Sequence, residues 1–343
     1  MAMFATAEGT IRYTDRFPRY RDAAFYQTVF GLRVSSLGIG TYLGGDDEAA
    51  DRAYTDALIA AGEGGINFFD TAINYRNQRS ERCIGAALER LQRDEIVVCT
   101  KAGFLVPGAV PMILQKDEVA GGMHCISPEF LTDQIERSRA NLRVDTIDVF
   151  YLHNPETQLG FVARDVFESR IRRAFACLER LVEQLRIRRY GVATWDGFLK
   201  KGALSLPKLA EIATEEGGPE HHFRFVQLPF NLGMVEAFTG RPENGAESGG
   251  PESVLAAAAR LGIAAVASAT LQQARVLEHM PDTVADLLPG LAGNAQRAIQ
   301  FTRSTPGISV ALVGMGRREH VVENLGVAKV PPAALEDYLR FYL

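Results

Sequence analysis

The 343-residue sequence predicts an α/β fold, a single closed (β/α)8 barrel, on three observations. Eight short, near-continuous apolar runs recur at broadly regular spacing, which is how parallel strands read when helices cover their outer face. Helical patterns alternate with those runs without an internal break. The rival architecture, an open doubly wound sheet, carries a Gly-x-Gly-x-x-Gly loop after its first strand. Here Gly38-Ile39-Gly40-Thr41 stops at Gly-x-Gly, inside the strand end.

Residues 1–30 precede the first run and fit an N-terminal extension that caps or plugs the barrel. The strands are expected at 34–41, 66–72, 96–101, 148–154, 189–194, 225–231, 263–269 and 309–315. The first connecting helix, 49–61, repeats apolar side chains at helical spacing and ends at Gly62. The next, 80–91, opens on a serine able to cap it. Ser127-Pro128-Glu129-Phe130 is a helix start with a serine cap, a proline at the first helical position and an early glutamate. Segment 166–185 is long and amphipathic. The basic run Arg186-Ile187-Arg188-Arg189 behind it reads as a solvated helix end, where cations favour the C-terminal dipole. Helices at 251–261, 292–302 and 319–325 complete the set. Two segments exceed a minimal barrel. One is 103–125 after the third strand, with Pro107, Pro111, Gly121 and Gly122. The other is 236–250 after the sixth, rich in Gly, Pro, Glu and Asn. Loops that follow barrel strands lie on the face that carries active sites, so both are candidate substrate loops.

Hydrophobic content of 47% and charged content of 23% suit a globular chain with a large core. A net charge of -5 leaves no basic footprint for nucleic acid or an anionic membrane. Cys83, Cys99, Cys125 and Cys177 show no Cys-x-x-Cys or Cys/His ligand spacing, so no metal site is expected. Cys83 and Cys99 fall on apolar helix and strand positions and read as inert core thiols. No apolar run reaches the ~18 residues of a membrane span, and residues 1–6 lack the charged start and apolar stretch of a secretory leader. The expectation is a reduced, cytoplasmic protein.

The chemistry gathers at strand ends. Asp70 closes the second strand, Lys101 the third and His153 the fourth, and Tyr75 lies in the loop just after Asp70. In a barrel all four converge on one mouth. A tyrosine alone, with a pKa near 10, is a poor acid at neutral pH. A nearby lysine stabilises the phenolate and lowers that value. A buried carboxylate keeps the lysine charged and oriented, and a histidine holds or polarises a carbonyl. Taken singly, each residue has a bland structural use, and Lys101 alone also fits a Schiff-base nucleophile.

Together these stretches resemble the aldo-keto reductase family. Gly65-Ile66-Asn67-Phe68-Phe69-Asp70-Thr71-Ala72, with Tyr75 and Glu81-x-x-Ile84-Gly85, looks like the family's first signature. Val98-Cys99-Thr100-Lys101 looks like its lysine strand and Asp148-Val149-Phe150-Tyr151-Leu152-His153 its histidine strand. The likeness continues through Tyr190–Thr194, Val226–Asn231 and 313–325, and so covers roughly residues 30–330. It implies a barrel that binds NADPH or NADH without a doubly wound domain, and reversible reduction of an aldehyde or ketone. By the same resemblance Tyr75 is the proton donor, Lys101 tunes it, Asp70 pairs with Lys101 and His153 orients the carbonyl.

Residue by residue, the resemblance makes Gln227 the amide that holds the nicotinamide carboxamide. Phe230 stands where a tyrosine usually stacks on that ring, and Thr194 and Ser268 are further cofactor contacts. Gly314 and Gly316 allow close backbone approach, and Glu323 and Asn324 match an adenine-contacting pair. Arg317 and Arg318 suit a 2′-phosphate, which favours NADP(H) over NAD(H). Tyr42, Phe104 and Trp195 are expected to wall the substrate pocket. The partner is a small carbonyl or alcohol, with the oligomeric state open. A regulatory or scaffold protein that binds the cofactor with little turnover is the alternative, and a Lys101 aldolase a third reading.

Overall fold

In the computed structural model, which describes residues 3–200, 202–243, 250–278 and 280–343, the chain opens with two helices, α1 (Ala7–Asp15) and α2 (Pro18–Asp22). An antiparallel hairpin follows, β1 (Tyr26–Val29) with β2 (Leu32–Ser35). Eight parallel strands then close into a barrel: β3 (Leu37–Gly40), β4 (Phe68–Asp70), β5 (Val97–Ala102), β6 (Ile147–His153), β7 (Ile187–Ala193), β8 (Phe223–Pro229), β9 (Ala264–Ser268) and β10 (Ile308–Gly314). β10 pairs with β3 to complete the ring. This is the (β/α)8, or TIM, barrel.

The helices that follow are α3 (Glu48–Gly64), α4 (Arg79–Leu88), α5 (Pro128–Leu142), α6 (Arg164–Glu183), α7 (Leu206–Gly217), α8 (Glu236–Thr239) and α9 (Val254–Arg260). The last five are α10 (Arg275–Glu278), α11 (Asp282–Leu287), α12 (Asn294–Ser304), α13 (Arg318–Asn324) and α14 (Leu335–Leu339). Among the described residues, no helix is long and apolar enough to cross a membrane.

Each buried strand alternates between two cores. Phe69, Val98, Phe150, Leu152 and Val226 face the helices. Phe68, Val97, Cys99, Val149, Tyr151, Phe225 and Val266 fill the barrel. The hairpin plugs the N-terminal end: Val29, Leu32 and Val34 join the inner cluster, and Phe30 packs edge-on against Phe225 at 5.4 Å.

Several boundaries differ from the sequence reading. The run at 34–41 is two elements, because the Ser35 amide is drawn to Asn67 Oδ1 and the Ser36 amide to the Phe25 carbonyl. Residues 186–189 are not a helix end. Leu185 takes a left-handed φ of 57° and turns the chain, Ile187 pairs with Ile147, and Arg189 donates to the Phe30 carbonyl at the plugged end. Ser80 does not cap α4; its hydroxyl donates to the Thr41 carbonyl at 2.7 Å. Helix α3 runs past Gly62 to Gly65, whose φ of 113° ends it. Helix α7 was not foreseen, although Ser205 caps it at the Lys208 amide and a proline opens it. Ser127 does cap α5, at the Phe130 amide.

Candidate active site

Side chains along a strand alternate, so the residue two beyond an inward apolar one also points inward. Along β4 the inward pair is Phe68 then Asp70, along β5 Cys99 then Lys101, along β6 Tyr151 then His153, and along β8 Phe225 then Gln227. The lower member of each pair fills the barrel, and the upper member brings a polar group to the mouth. That step from apolar to polar is the site.

At the mouth lies a cavity of about 1020 Å³. Asp70, Tyr75 and His153 line it. Lys101 lies beneath, fully buried, with Nζ 2.5 Å from Asp70 Oδ1 and 2.7 Å from the Thr71 carbonyl. The same Nζ sits 5.1 Å from the centre of the Tyr75 ring. Gln227 Nε2 donates to Asp70 Oδ2 at 2.9 Å, so both carboxylate oxygens are occupied. The Tyr75 and His153 ring centres are 5.7 Å apart, edge to face.

Tyr75 is delivered by a tight turn. Its amide donates to the Ala72 carbonyl, and the Ile73 amide to the Lys101 carbonyl, which ties the loop to the lysine strand. Arg76, Asn77 and Gln78 then take left-handed conformations, with φ of 48°, 50° and 71°. Arg76 anchors that turn. Its buried guanidinium pairs with Asp51 at 2.6 Å and donates to the Gly45 carbonyl at 2.8 Å.

The electrostatics follow from burial opposed by pairing. Burial works most strongly to strip the proton from Lys101, but the Asp70 charge and hydrogen bond, together with the Tyr75 phenol, outweigh it, and the net shift is upward. Lys101 therefore stays an ammonium. Burial pushes the Tyr75 phenol above its usual value, and the Lys101 charge pulls against that rise without cancelling it. Burial, then the Lys101 charge, drives His153 well below its ordinary value, so its ring is neutral. A neutral imidazole donates one hydrogen bond; an ammonium under a phenol favours the phenolate. The set can therefore hold a carbonyl oxygen and move a proton to or from it.

Of the expected pocket walls, Tyr42, Phe104 and Trp195 all line the cavity. Of the expected cofactor contacts, Thr194, Gln227, Ser268, Gly314, Glu323 and Asn324 line it. Thr194 does so with its hydroxyl engaged, donating to Glu156 and accepting from the Gly197 amide. Four of the expected contacts do not line the cavity. Phe230 is fully buried and stacks on Phe301 of α12, at 5.9 Å and 6°, away from the cavity. It follows Pro229, where β8 ends, so the strand's alternation turns it outward. Gly316 makes room for Tyr54 of α3, whose ring would lie 3.0 Å from an added Cβ. Arg317 and Arg318, at the start of α13, are not among the lining residues.

In the second long insertion, the described residues 236–243 and 250 do not line the cavity, and 244–249 lie outside the described residues. Sequence reasoning missed Asn74, Asn154, Arg275 and His320, all lining residues. It also left 272–274 unassigned, where Gln272, Gln273 and Ala274 take positive φ. Nothing in their side chains announces this; only the backbone path brings them to the mouth.

Four buried polar atoms of cavity-lining residues lack a partner: Asn74 Oδ1 and His153 Nδ1 on one side, and Thr270 Oγ1 and Asn324 Oδ1 on the β9–β10 side. Unpartnered buried groups in a site are what a polar ligand satisfies. Gly314 faces open space, so no Cβ fills the groove beside Thr270 and Asn324. These features fit an extended, polar, nucleotide-like group on the β9–β10 side of the mouth.

Comparison with known proteins agrees with the geometry. The family model described as "Aldo/keto reductase family" matches residues 36–232, more than half of the chain. D-threo-aldose 1-dehydrogenase from Pseudomonas sp. is 32% identical over 176 residues, 48% of this chain and 51% of that protein. NADH-specific methylglyoxal reductase from Escherichia coli (strain K12) is 29% identical over 185 residues, 51% of this chain and 54% of that one. The matched part thus spans about half the length of these two relatives. The crystal structure of an aldo/keto reductase from Klebsiella pneumoniae, in complex with NADP and acetate, superposes with a TM-score of 0.63 at 20% identity, over 91% of this chain and 92% of that one. With the barrel and its mouth already in view, the matched residues place this chain in the aldo-keto reductase family.

Proposed function

We propose that the protein is an NAD(P)H-dependent oxidoreductase that reduces an aldehyde or ketone to an alcohol, reversibly. The observation that carries this reading is the Lys101 ammonium, bonded to Asp70 and held beneath the Tyr75 ring, with neutral His153 across the cavity. A bound nicotinamide cofactor supplies the hydride. Tyr75 gives its proton to the carbonyl oxygen in reduction and takes it back in oxidation. His153 donates a hydrogen bond to the same oxygen and fixes the carbonyl's direction. Lys101 favours the phenolate as it forms, and Asp70 with Gln227 holds Lys101 in place.

Gln227, Ser268, Thr270, Gly314, Glu323 and Asn324 are the residues proposed to hold the cofactor. NADP(H) is the proposed preference. Arg317 and Arg318, at the start of α13, suit its 2′-phosphate, and Arg275, which lines the cavity, is a third arginine within the site. The Klebsiella pneumoniae structure contains NADP, whereas the Escherichia coli relative is named NADH-specific. Lys101 is not available as a Schiff-base nucleophile, being fully buried and bonded to Asp70. A pure binding role gives no reason for that buried pair beneath a tyrosine. Four buried free thiols support the proposed cytoplasmic setting.

The test uses Trp195, the single tryptophan, which lines the cavity. Titration with NADPH and NADH is expected to change its fluorescence, more tightly for NADPH. An absorbance screen of neutral aldehydes and ketones then follows cofactor consumption. Absence of binding by both cofactors rejects the proposal.

A further inference from the structure

His153 is an unusual ring to rely on. A working histidine is normally oriented by the hydrogen bond its second nitrogen makes. Here Nδ1 of His153 is buried and has no partner. The ring stands instead between two aromatic edges, Tyr75 at 5.7 Å and Phe104 at 5.3 Å. Its direction therefore depends on its main chain and on where Phe104 sits.

We propose that His124, brought in by the 103–125 insertion, is the positioning residue that holds both of these supports, and so sets the direction of His153. This rests on the reading of His153 as the group that orients the carbonyl. His124 Nε2 lies 2.7 Å from the His153 carbonyl oxygen. The same imidazole packs edge-on against Phe104, at 5.0 Å and 84°.

The neighbours of His124 fix its tautomer. Arg170 of α6 only donates, so Gln158 turns its Oε1 toward the guanidinium. The Gln158 amide nitrogen then faces His124 and donates to Nδ1 at 2.9 Å. Nδ1 must accept, so Nε2 carries the hydrogen and donates it to His153. Arg170 also donates to the Asp117 and Glu118 carbonyls, which pins the far side of the insertion. His124 and Gln158 are fully buried. Burial lowers His124 to about 4, so this tautomer persists across the neutral range. Gly103 belongs to the same arrangement. A Cβ there would lie 2.4 Å from the His153 oxygen and 2.6 Å from His124 Nε2, in the space their hydrogen bond uses.

The experiment compares His124→Phe, which keeps a ring of similar size without a donor, with His124→Gln, which keeps an N–H at the reach of Nε2. Both are expected to bind NADPH within about twofold of the parent, since His124 is not a lining residue. In His124→Phe, kcat is expected to fall about 10- to 100-fold with the cofactor KM unchanged, as for a displaced reacting geometry. His124→Gln is expected to recover most of it. Nitrogen-15 histidine NMR gives a readout free of turnover: the His153 ring signals stay sharp in the parent and His124→Gln and broaden or shift in His124→Phe.

Parental kcat with unchanged His153 signals in His124→Phe overturns the proposal. So does equal loss of kcat in both variants together with cofactor binding, which marks a merely structural role. If His124→Phe does not fold, Gln158→Met, which releases the tautomer, replaces it; unchanged His153 signals there overturn the proposal as well. If the parent reduces no carbonyl, the enzymatic reading fails while the NMR comparison still decides whether His124 holds His153.

Discussion

In the proposed reaction, Tyr75 and Lys101 divide one task between a proton and a charge. The ring of Tyr75 lines the cavity and its hydroxyl carries the proton, so Tyr75→Phe removes the donor and keeps the shape. Turnover is expected to fall by about 10²–10⁴-fold, with NADPH affinity within about twofold. Steady-state rates and Trp195 fluorescence check both, and a variant that keeps most of its turnover rejects the role. Lys101→Met acts on the pKa. Reduction needs the protonated phenol, so its rate falls as pH rises through the Tyr75 pKa. The ammonium holds that pKa down against burial, so removing it moves the alkaline limb of residual reduction to higher pH. An unchanged limb contradicts the account. The same variant strands the Asp70 carboxylate in a buried site, and a loss of about 3–5 kcal/mol in stability is expected by urea denaturation.

Elements, rather than residues, aim these groups. The third strand of the barrel ends at Ala102, and Gly103 admits the bridge between His124 and His153. Gly103→Ala forces a methyl into backbone and imidazole, and is expected to cost about 1–3 kcal/mol. Gly160→Ala, where nothing lies within 4 Å, is the control and is expected to be near neutral. Equal stability of the two variants by urea denaturation rules out the crowding argument. The turn at 76–78 plays the matching part for Tyr75. Three successive left-handed residues without a glycine are costly locally, and the Arg76–Asp51 pair, with Arg76 on the Gly45 carbonyl and Asn77 on Asp46, helps to hold them.

Across the whole molecule, a closed parallel ring gathers strand ends that lie far apart in sequence. Gln227 reaches Asp70 across 157 positions, and β10 closes on β3. A cofactor seated across that mouth binds only the folded barrel. NADPH at about 100 times its Kd is expected to add about 2.7 kcal/mol to unfolding, seen as a rise in Tm that grows with its concentration. A Tm independent of NADPH counts against the cavity as its site.

Much of this plan was legible in the order of residues. Burial on both faces makes parallel strands read as continuous apolar runs, so the eight strands and the barrel show in one dimension. A polar residue at the end of such a run points into the mouth by simple alternation, which exposed Asp70, Lys101 and His153 together. Short-range rules also placed the Ser127 cap. They failed where the deciding partner was distant in sequence. Ser80 answers to the Thr41 carbonyl, not to its own helix, and 34–41 breaks because Asn67 and Phe25 claim the intervening amides. Phe230 faces Phe301 once the strand has ended, and Arg275, not Arg317 or Arg318, is among the residues that line the cavity. The sequence by itself determined the barrel and the acid, lysine, tyrosine and histidine at its mouth, because strand period and burial are local properties. Only the tertiary structure decided which side chains line the cavity and what steadies His153, because those depend on hydrogen bonds and packing between segments that meet only when the ring closes.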